Sequence, residues 1–261
     1  MKQANSTAAN VRIPAPRKDW AYFFDIDGTL VDIVDSPQCV RIDRDLLHLI
    51  EDLYRSADGA VALISGRSIA DVDRLFPGMH PPAAGQHGIE RRDGSGRVFH
   101  HAFSSAPLDR LRDRMSEAVA RHSGLLLEDK GSSLALHYRR APRLGGFVHR
   151  LMRTLQAQTG PEYCLQSGKR VVEVKPAGSD KGYAIGEFMR EPPFLGRTPV
   201  FVGDDLTDEY GFVAATHLGG WAVKVGRGPT RALFRLPNVS AVRDWLGAVS
   251  PAPPVSPAKA H

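Results

Sequence analysis

The residues Asp25-Ile26-Asp27-Gly28-Thr29-Leu30 follow directly on the apolar run Ala21-Tyr22-Phe23-Phe24. Two carboxylates two positions apart on a strand project to the same side. A turn at Gly28-Thr29 would leave both at the carboxyl end of that strand, where open α/β sheets bind ligands. Such a pair can divide the work of phosphoryl transfer, one acid attacking phosphorus while the other gives a proton to the leaving oxygen. A lone Asp-x-Asp also fits a solvated turn or a calcium loop. An EF-type loop, however, lies between helices and continues with further oxygen ligands, and Gly28-Thr29-Leu30-Val31 supplies few.

Three further segments decide between these readings. Val61-Ala62-Leu63-Ile64 is a second short apolar run, and it ends at Ser65-Gly66-Arg67, a strand-end hydroxyl beside a guanidinium. A third run, Val200-Phe201-Val202, ends in the acid-dense stretch Gly203-Asp204-Asp205-Leu206-Thr207-Asp208-Glu209. Crowded carboxylates call for a cation, and oxygen-only ligands at a strand end suit Mg²⁺. Asp180-Lys181-Gly182 opens a predicted helix capped by Ser179 or Asp180, which would aim an ammonium at the same edge.

Taken in order, D-x-D-G-T-L, S-G-R, D-K-G and G-D-D-x-T-D resemble the haloacid dehalogenase (HAD) superfamily of aspartate-nucleophile phosphatases. The resemblance implies catalytic roles for Asp25 as nucleophile, Asp27 as acid and base, and Ser65 and Lys181 as binders of the transferring phosphoryl group. It also implies a Mg²⁺ held by Asp25, the Asp27 carbonyl and Asp204, with Asp205 and Asp208 as further or water-mediated ligands. The transition state of phosphoryl transfer is stabilised mainly by positioned charge and donors, which agrees with that division. An Asp at position 27, where ion-pumping relatives carry Thr, favours hydrolysis over a long-lived phosphoenzyme.

The elements that must position these groups follow from periodicity. Leu46, Leu47, Ile50, Leu53 and Tyr54 give near-helical spacing between Arg41 and Ser56, feeding the Ser65 strand in a βαβ unit. After Gly96 the pattern changes to α-β-β-α-β-β. The order comprises a helix through Leu108 to Val119, strands at Leu125–Leu127 and Ser133–Tyr138, a helix through Leu144 to Leu155, and strands at Tyr163–Gln166 and Val171–Val174. Trp221–Val225 reads as the last strand and Ser240–Leu246 as the final helix. The expected fold is α/β, a Rossmann-like HAD core with a parallel sheet flanked by helices and an inserted αββαββ cap. The corresponding division is 18–101 with 177–248 for the core, 102–176 for the cap, and disordered tails at 1–17 and 249–261.

Composition fits an intracellular, cytoplasmic enzyme. The 261 residues are 42% hydrophobic, enough for one large core and a satellite. No apolar stretch approaches the ~20 residues that span a bilayer, and Met1 to Arg17 lacks a signal-peptide apolar region. Cys39 and Cys164 do not make a disulfide framework. The net charge of +5 is spread without a basic tract, which speaks against nucleic acid and suits attraction of an anionic ester. The expected partner is a small-molecule substrate, with no nucleic acid, no membrane and a monomeric state.

Substrate identity should lie in the cap. Glu128-Asp129-Lys130 and Lys169-Arg170-Val171-Val172-Glu173-Val174-Lys175 present acids and bases near strand ends. Carboxylates accept from sugar hydroxyls and lysines donate to sugar oxygens. Together with Gly85-x-His87-Gly88-x-Glu90 these segments resemble the trehalose-6-phosphate phosphatase family. Sucrose-phosphate and mannosylphosphoglycerate phosphatases usually carry Asn-Gly where His87-Gly88 stands. The resemblance implies substrate contacts from Arg67, His87, Gly88, Glu128, Lys130, Arg139, Lys169, Glu173 and Lys175, and Mg²⁺-dependent hydrolysis of trehalose 6-phosphate. His87 also fits a packed turn, and Arg67 could instead pair with a cap carboxylate. His137 and Tyr138 read as structural, and Gln86 receives no role. A different sugar-phosphate phosphatase of the same build, or a catalytically silent binding module, are the competing readings.

Overall fold

A computed structural model of the chain describes residues 13–34, 39–100 and 106–248. Of the tails expected at 1–17 and 249–261, residues 1–12 and all of 249–261 lie outside these residues. Strand β1 (Trp20–Phe24) is buried at all five positions, the signature of a parallel strand covered on both faces. It is flanked by β2 (Val61–Ile64) and β10 (Thr198–Gly203), both parallel to it.

Numbered in chain order, the remaining strands are β3 (Ala83–Gly85), β4 (Glu90–Arg92), β5 (Val98–His100), β6 (Leu126–Asp129), β7 (Leu134–His137), β8 (Tyr163–Gly168), β9 (Val171–Pro176), β11 (Trp221–Val225) and β12 (Phe234–Leu236). The large sheet has the order β12-β11-β10-β1-β2-β3-β4-β5. It is parallel from β12 to β3, and β4 and β5 add an antiparallel edge. Phe24 pairs with both Val202 and Leu63, so β1, β2 and β10 finish in line and deliver Asp25, Ser65 and Asp204 to one edge.

Helices cover this sheet at the points where caps allow them to start. α1 (Arg44–Ser56) begins where the Asp43 carboxylate accepts from Leu46 N. α2 (Ile69–Leu75) is capped by Ser68, and α5 (Lys181–Phe188) by Asp180. α6 (Asp208–His217) packs on α5, and α7 (Val239–Gly247) packs on α1.

The second sheet is antiparallel in the order β6-β7-β9-β8. Helices α3 (Ala106–Arg121) and α4 (Gly145–Gln156) cover one face. Strict alternation sorts its residues. Leu134, Leu136, Val172 and Val174 join Leu108, Met115, Val148 and Met152 in a core of their own, while Glu128, Ala135, Glu173 and Gln166, paired in register across all four strands, share the other face.

Two expectations need correction, and three strands were not anticipated: β3, β4 and β5 are three-residue runs, too short to show a period. Trp221–Val225 is not the last strand, since β12 pairs parallel to it; Phe-Arg-Leu holds only two buried residues. Residues 13–17 are tied to the core rather than disordered. Ile13 packs on the main apolar cluster, Trp245 Nε1 donates to Pro14 O at 2.8 Å, and Tyr22 Oη donates to Arg17 O at 2.7 Å.

Candidate active site

At the edge where β1, β2 and β10 end, Lys181 is the hub. Its ammonium donates to Asp25 Oδ1 at 2.7 Å and to Asp208 Oδ1 at 2.6 Å, and all three side chains are buried. Burial opposes the charge on Lys181, but the carboxylates of Asp208 and Asp25 outweigh it and hold the ammonium protonated above its usual range. Burial, opposed by Lys181 and reinforced by Asp208 and Asp204, pushes the Asp25 carboxyl well above the usual carboxylate range. The other Asp208 oxygen accepts from the backbone N–H groups of Asp204 and Asp205, both at 2.8 Å. Asp208 therefore shapes the loop that aims Asp204.

Glycine is required at two places around that loop. Gly28 has φ +90°, and a Cβ there would meet the Asp204 carboxylate at 2.3 Å. At Gly203 a Cβ would meet the Asp208 carboxylate at 2.4 Å. The turn after Asp27 and the acidic loop thus approach as closely as backbone allows.

Asp27 is gripped by Arg67 in a two-point fork, Nε to Oδ2 at 2.6 Å and Nη2 to Oδ1 at 2.7 Å. The guanidinium charge also helps to hold the Glu128 carboxyl in the cap below its usual range. Ser65 is buried, and its Oγ accepts from Arg67 N at 3.1 Å.

Oxygens of Asp25, Asp204 and Asp208 lie within 4.8 Å of one another. Asp204 Oδ1 is buried without a hydrogen-bond partner. Burial, with Asp208 and Asp205 nearby, lifts the Asp204 carboxyl to about 7. An orphaned oxygen in an all-carboxylate cluster fits a hard divalent cation, which would restore the missing partner and charge balance.

On the cap's second face, Glu173 is buried, accepts from Ser133 Oγ at 2.5 Å and lies 3.4 Å from Lys130 Nζ. Burial acts to raise its pKa, but the Lys130 ammonium and the Ser133 hydroxyl outweigh it and hold the carboxyl below the usual range. His87 Nε2 approaches Glu173 Oε2 at 3.7 Å while Nδ1 is buried without a partner. Burial drives the His87 pKa down to about 3, so the ring is neutral. Glu128 is held below its usual range chiefly by a 2.8 Å hydrogen bond with His137 Nε2.

Two cavities lie between the cap face and the sheet edge. A cavity of about 400 Å³ is lined by Asp27, Asp204, Asp205, Arg139, Lys169 and Lys224 among others. A smaller one of about 100 Å³ is lined by His87, Glu128, Lys130, Glu173, His137, Gln166 and Asp205 among others. The structure thus gathers most of the sequence-derived candidates around one cleft.

Of the expected substrate contacts, Arg67, Lys175 and Gly88 line neither cavity. Lys175 is buried, lines neither cavity and donates to Ser179 O where the chain returns to the core. Gly88, with φ +98°, also lines neither; a Cβ there would meet Asp180 O at 2.7 Å, so its part is to let α5 approach.

Sequence reasoning missed others. His137, read as structural, and Gln166 line the smaller cavity. Lys224 is buried at the end of β11 and donates to Asp204 O and to Val225 O, the latter at 2.7 Å. A lone cation closing an otherwise apolar strand was the available signal.

This architecture, with its aspartates, lysine and serine at the ends of three adjoining strands beneath a separate α/β unit, defines a hydrolase of the HAD fold. It superposes on the haloacid dehalogenase-like hydrolase from B. subtilis with a TM-score of 0.62, at 15% identity over 88% of this chain and 99% of that one. The C-terminal domain of C. albicans trehalose-6-phosphate phosphatase superposes with a TM-score of 0.77, at 24% identity over 87% of this chain and 90% of that one. In sequence, the trehalose-6-phosphate phosphatase of Escherichia coli K12 is 44% identical over 89% of this chain and 87% of its own length. The trehalose-phosphatase family model matches residues 23–239. The chain belongs to the trehalose-phosphatase family, and it is a phosphatase of small sugar phosphates.

Proposed function

We propose that this chain hydrolyses trehalose 6-phosphate to trehalose and phosphate in two steps through an aspartyl-phosphate on Asp25, with Mg²⁺ as cofactor. The observation that carries the reading is the Lys181–Asp25 contact, set at the sheet edge below a cap face bearing Glu128, Lys130 and Glu173. Asp25 attacks phosphorus, the bond to the sugar oxygen breaks, and Asp27 gives that oxygen its proton. Water then attacks phosphorus, Asp27 takes its proton, and Asp25 is returned as carboxylate. Lys181 and Ser65 bind the phosphoryl oxygens, and Arg67 fixes Asp27 in place.

Asp25, the Asp27 carbonyl and Asp204 would hold the Mg²⁺, with Asp205 and Asp208 behind them. When bound, the ion supplies positive charge to the phosphoryl oxygens. Glu128, Lys130, Glu173 and neutral His87 offer acceptors and donors to the sugar hydroxyls, while Arg139 and Lys169 draw the anion into the larger cavity.

The core is assigned to 18–101 and 177–248 and the cap to 102–176, in keeping with the two separate apolar clusters. Among the described residues no helix is long and apolar enough to cross a membrane, and the proposed setting is a cytoplasmic enzyme acting as a monomer.

Phosphate release from trehalose 6-phosphate, glucose 6-phosphate and sucrose 6-phosphate, with Mg²⁺ and with EDTA, tests the proposal. A preference of about 100-fold or more for the trehalose ester, abolished by EDTA, is expected, two or three lost sugar contacts having that size. Equal turnover of all three esters would refute the substrate assignment, and activity indifferent to EDTA would refute the metal.

A further inference from the structure

The cap turn that carries Lys130 is tied to the core by Gln86. Ser132, buried in the turn between β6 and β7, donates through Oγ to Gln86 Oε1. Gln86 Nε2 donates in turn to Glu90 Oε1 at 3.4 Å, and the same oxygen accepts from Ile69 N at 2.7 Å. The neighbour of Ser132, Ser133, is the donor that holds Glu173.

The core end of this connection is fixed by the phosphoryl-binding loop. Gln86 and His87 are consecutive non-glycine residues in the left-handed region, with φ of +49° and +58°, a conformation uncommon outside glycine. It is maintained by Gln86 N donating to Arg67 O at 2.8 Å and His87 N donating to Ser65 O at 2.9 Å. The backbone that presents Gln86 to the cap is therefore bonded to the segment that carries Ser65 and Arg67.

We infer that Gln86 is a positioning residue: its hydrogen bond to Ser132 couples seating of the sugar-gripping cap turn to the loop that binds the phosphoryl group. The inference rests on the trehalose 6-phosphate reading. It requires the pair to matter for a substrate that engages the cap and not for one that reaches only the core.

The test is a double-mutant cycle of Gln86→Leu and Ser132→Ala, with kcat and KM for trehalose 6-phosphate and for p-nitrophenyl phosphate. Each single variant should lower kcat/KM for trehalose 6-phosphate by about five- to tenfold, the size of one neutral hydrogen bond. The double variant should lose no more than either single, and turnover of the aryl ester should stay within about twofold. Ser132→Thr, which keeps the hydroxyl, should restore the wild-type value. If Gln86→Leu fails to fold, the Ser132→Ala and Ser132→Thr pair carries the same comparison. Losses that multiply in the double variant, equal losses on both esters, or no loss at all would overturn the inference. A wild-type enzyme active on the aryl ester but not on trehalose 6-phosphate would instead bring down the substrate reading, and the inference with it.

Discussion

The Lys181 ammonium stands between Asp25 and Asp208, 2.7 and 2.6 Å away, with all three side chains almost wholly out of solvent. One buried cation thus faces two carboxylates, with the orphaned oxygen of Asp204 close by.

Removing that cation should be costly in two ways. Lys181→Met leaves buried carboxylates uncompensated, and breaking a buried pair costs about 3–5 kcal/mol. Urea unfolding should show a loss of this order at pH 8 in EDTA, and a smaller loss at pH 5.5, where the carboxylates can protonate. Activity should fall by about 100-fold or more, as expected when a positioned charge on a phosphoryl group is lost.

Protons and metal should compete at Asp204. Its folded value of about 7 lies above the ordinary 3.8, so the folded protein binds more protons than the unfolded chain between those limits. Stability contributed through this group is therefore present at low pH and declines as pH rises towards 7. Binding of a cation reverses that deficit. The rise in thermal midpoint on adding Mg²⁺ should be larger at pH 8 than at pH 6; an equal rise, or the opposite order, would remove Asp204 from the metal site.

Gly28→Ala tests the close approach of the two loops. A methyl group there would meet the Asp204 carboxylate at 2.3 Å on a backbone with φ +90°. The variant should keep its secondary structure by circular dichroism, lose the Mg²⁺-induced rise in thermal midpoint, and lose about 100-fold or more in activity, a misplacement of the reacting groups having that effect.

The cap face should act on binding of the sugar rather than on phosphoryl chemistry. Glu173→Gln keeps the shape but withdraws a charged acceptor that Lys130 and Ser133 hold in place. KM for trehalose 6-phosphate should rise about tenfold, the effect of losing one charge-assisted hydrogen bond, while kcat/KM for p-nitrophenyl phosphate changes little.

The parts legible in the sequence were those in which one strand ends in an unusual set of residues. β1, β2 and β10 are apolar runs stopped by Asp25, Ser65 and Asp204, and their register aligns those ends; the αββαββ order of the cap was equally open to reading. What escaped was set by tertiary contact. Lys175 reads like Lys130 as a cation near a strand end, yet only the return to the core shows it committed to Ser179 O. Gln86 looks like an indifferent turn residue until the cap is placed over it. Lys224 becomes part of the acidic loop only because β11 pairs beside β10. The three-residue strands β3, β4, β5 and β12 are held by pairing with neighbours rather than by any period of their own.

The central claim is that Asp25 carries the phosphoryl group. The most direct measurement is an acid quench of Asp27→Asn after mixing with ³²P-labelled p-nitrophenyl phosphate and Mg²⁺, an ester whose leaving group needs no proton. The account predicts a burst of nitrophenolate stoichiometric with enzyme and label that maps to Asp25, absent from Asp25→Asn. Label on another residue, or steady turnover of Asp25→Asn at the wild-type rate, would contradict it.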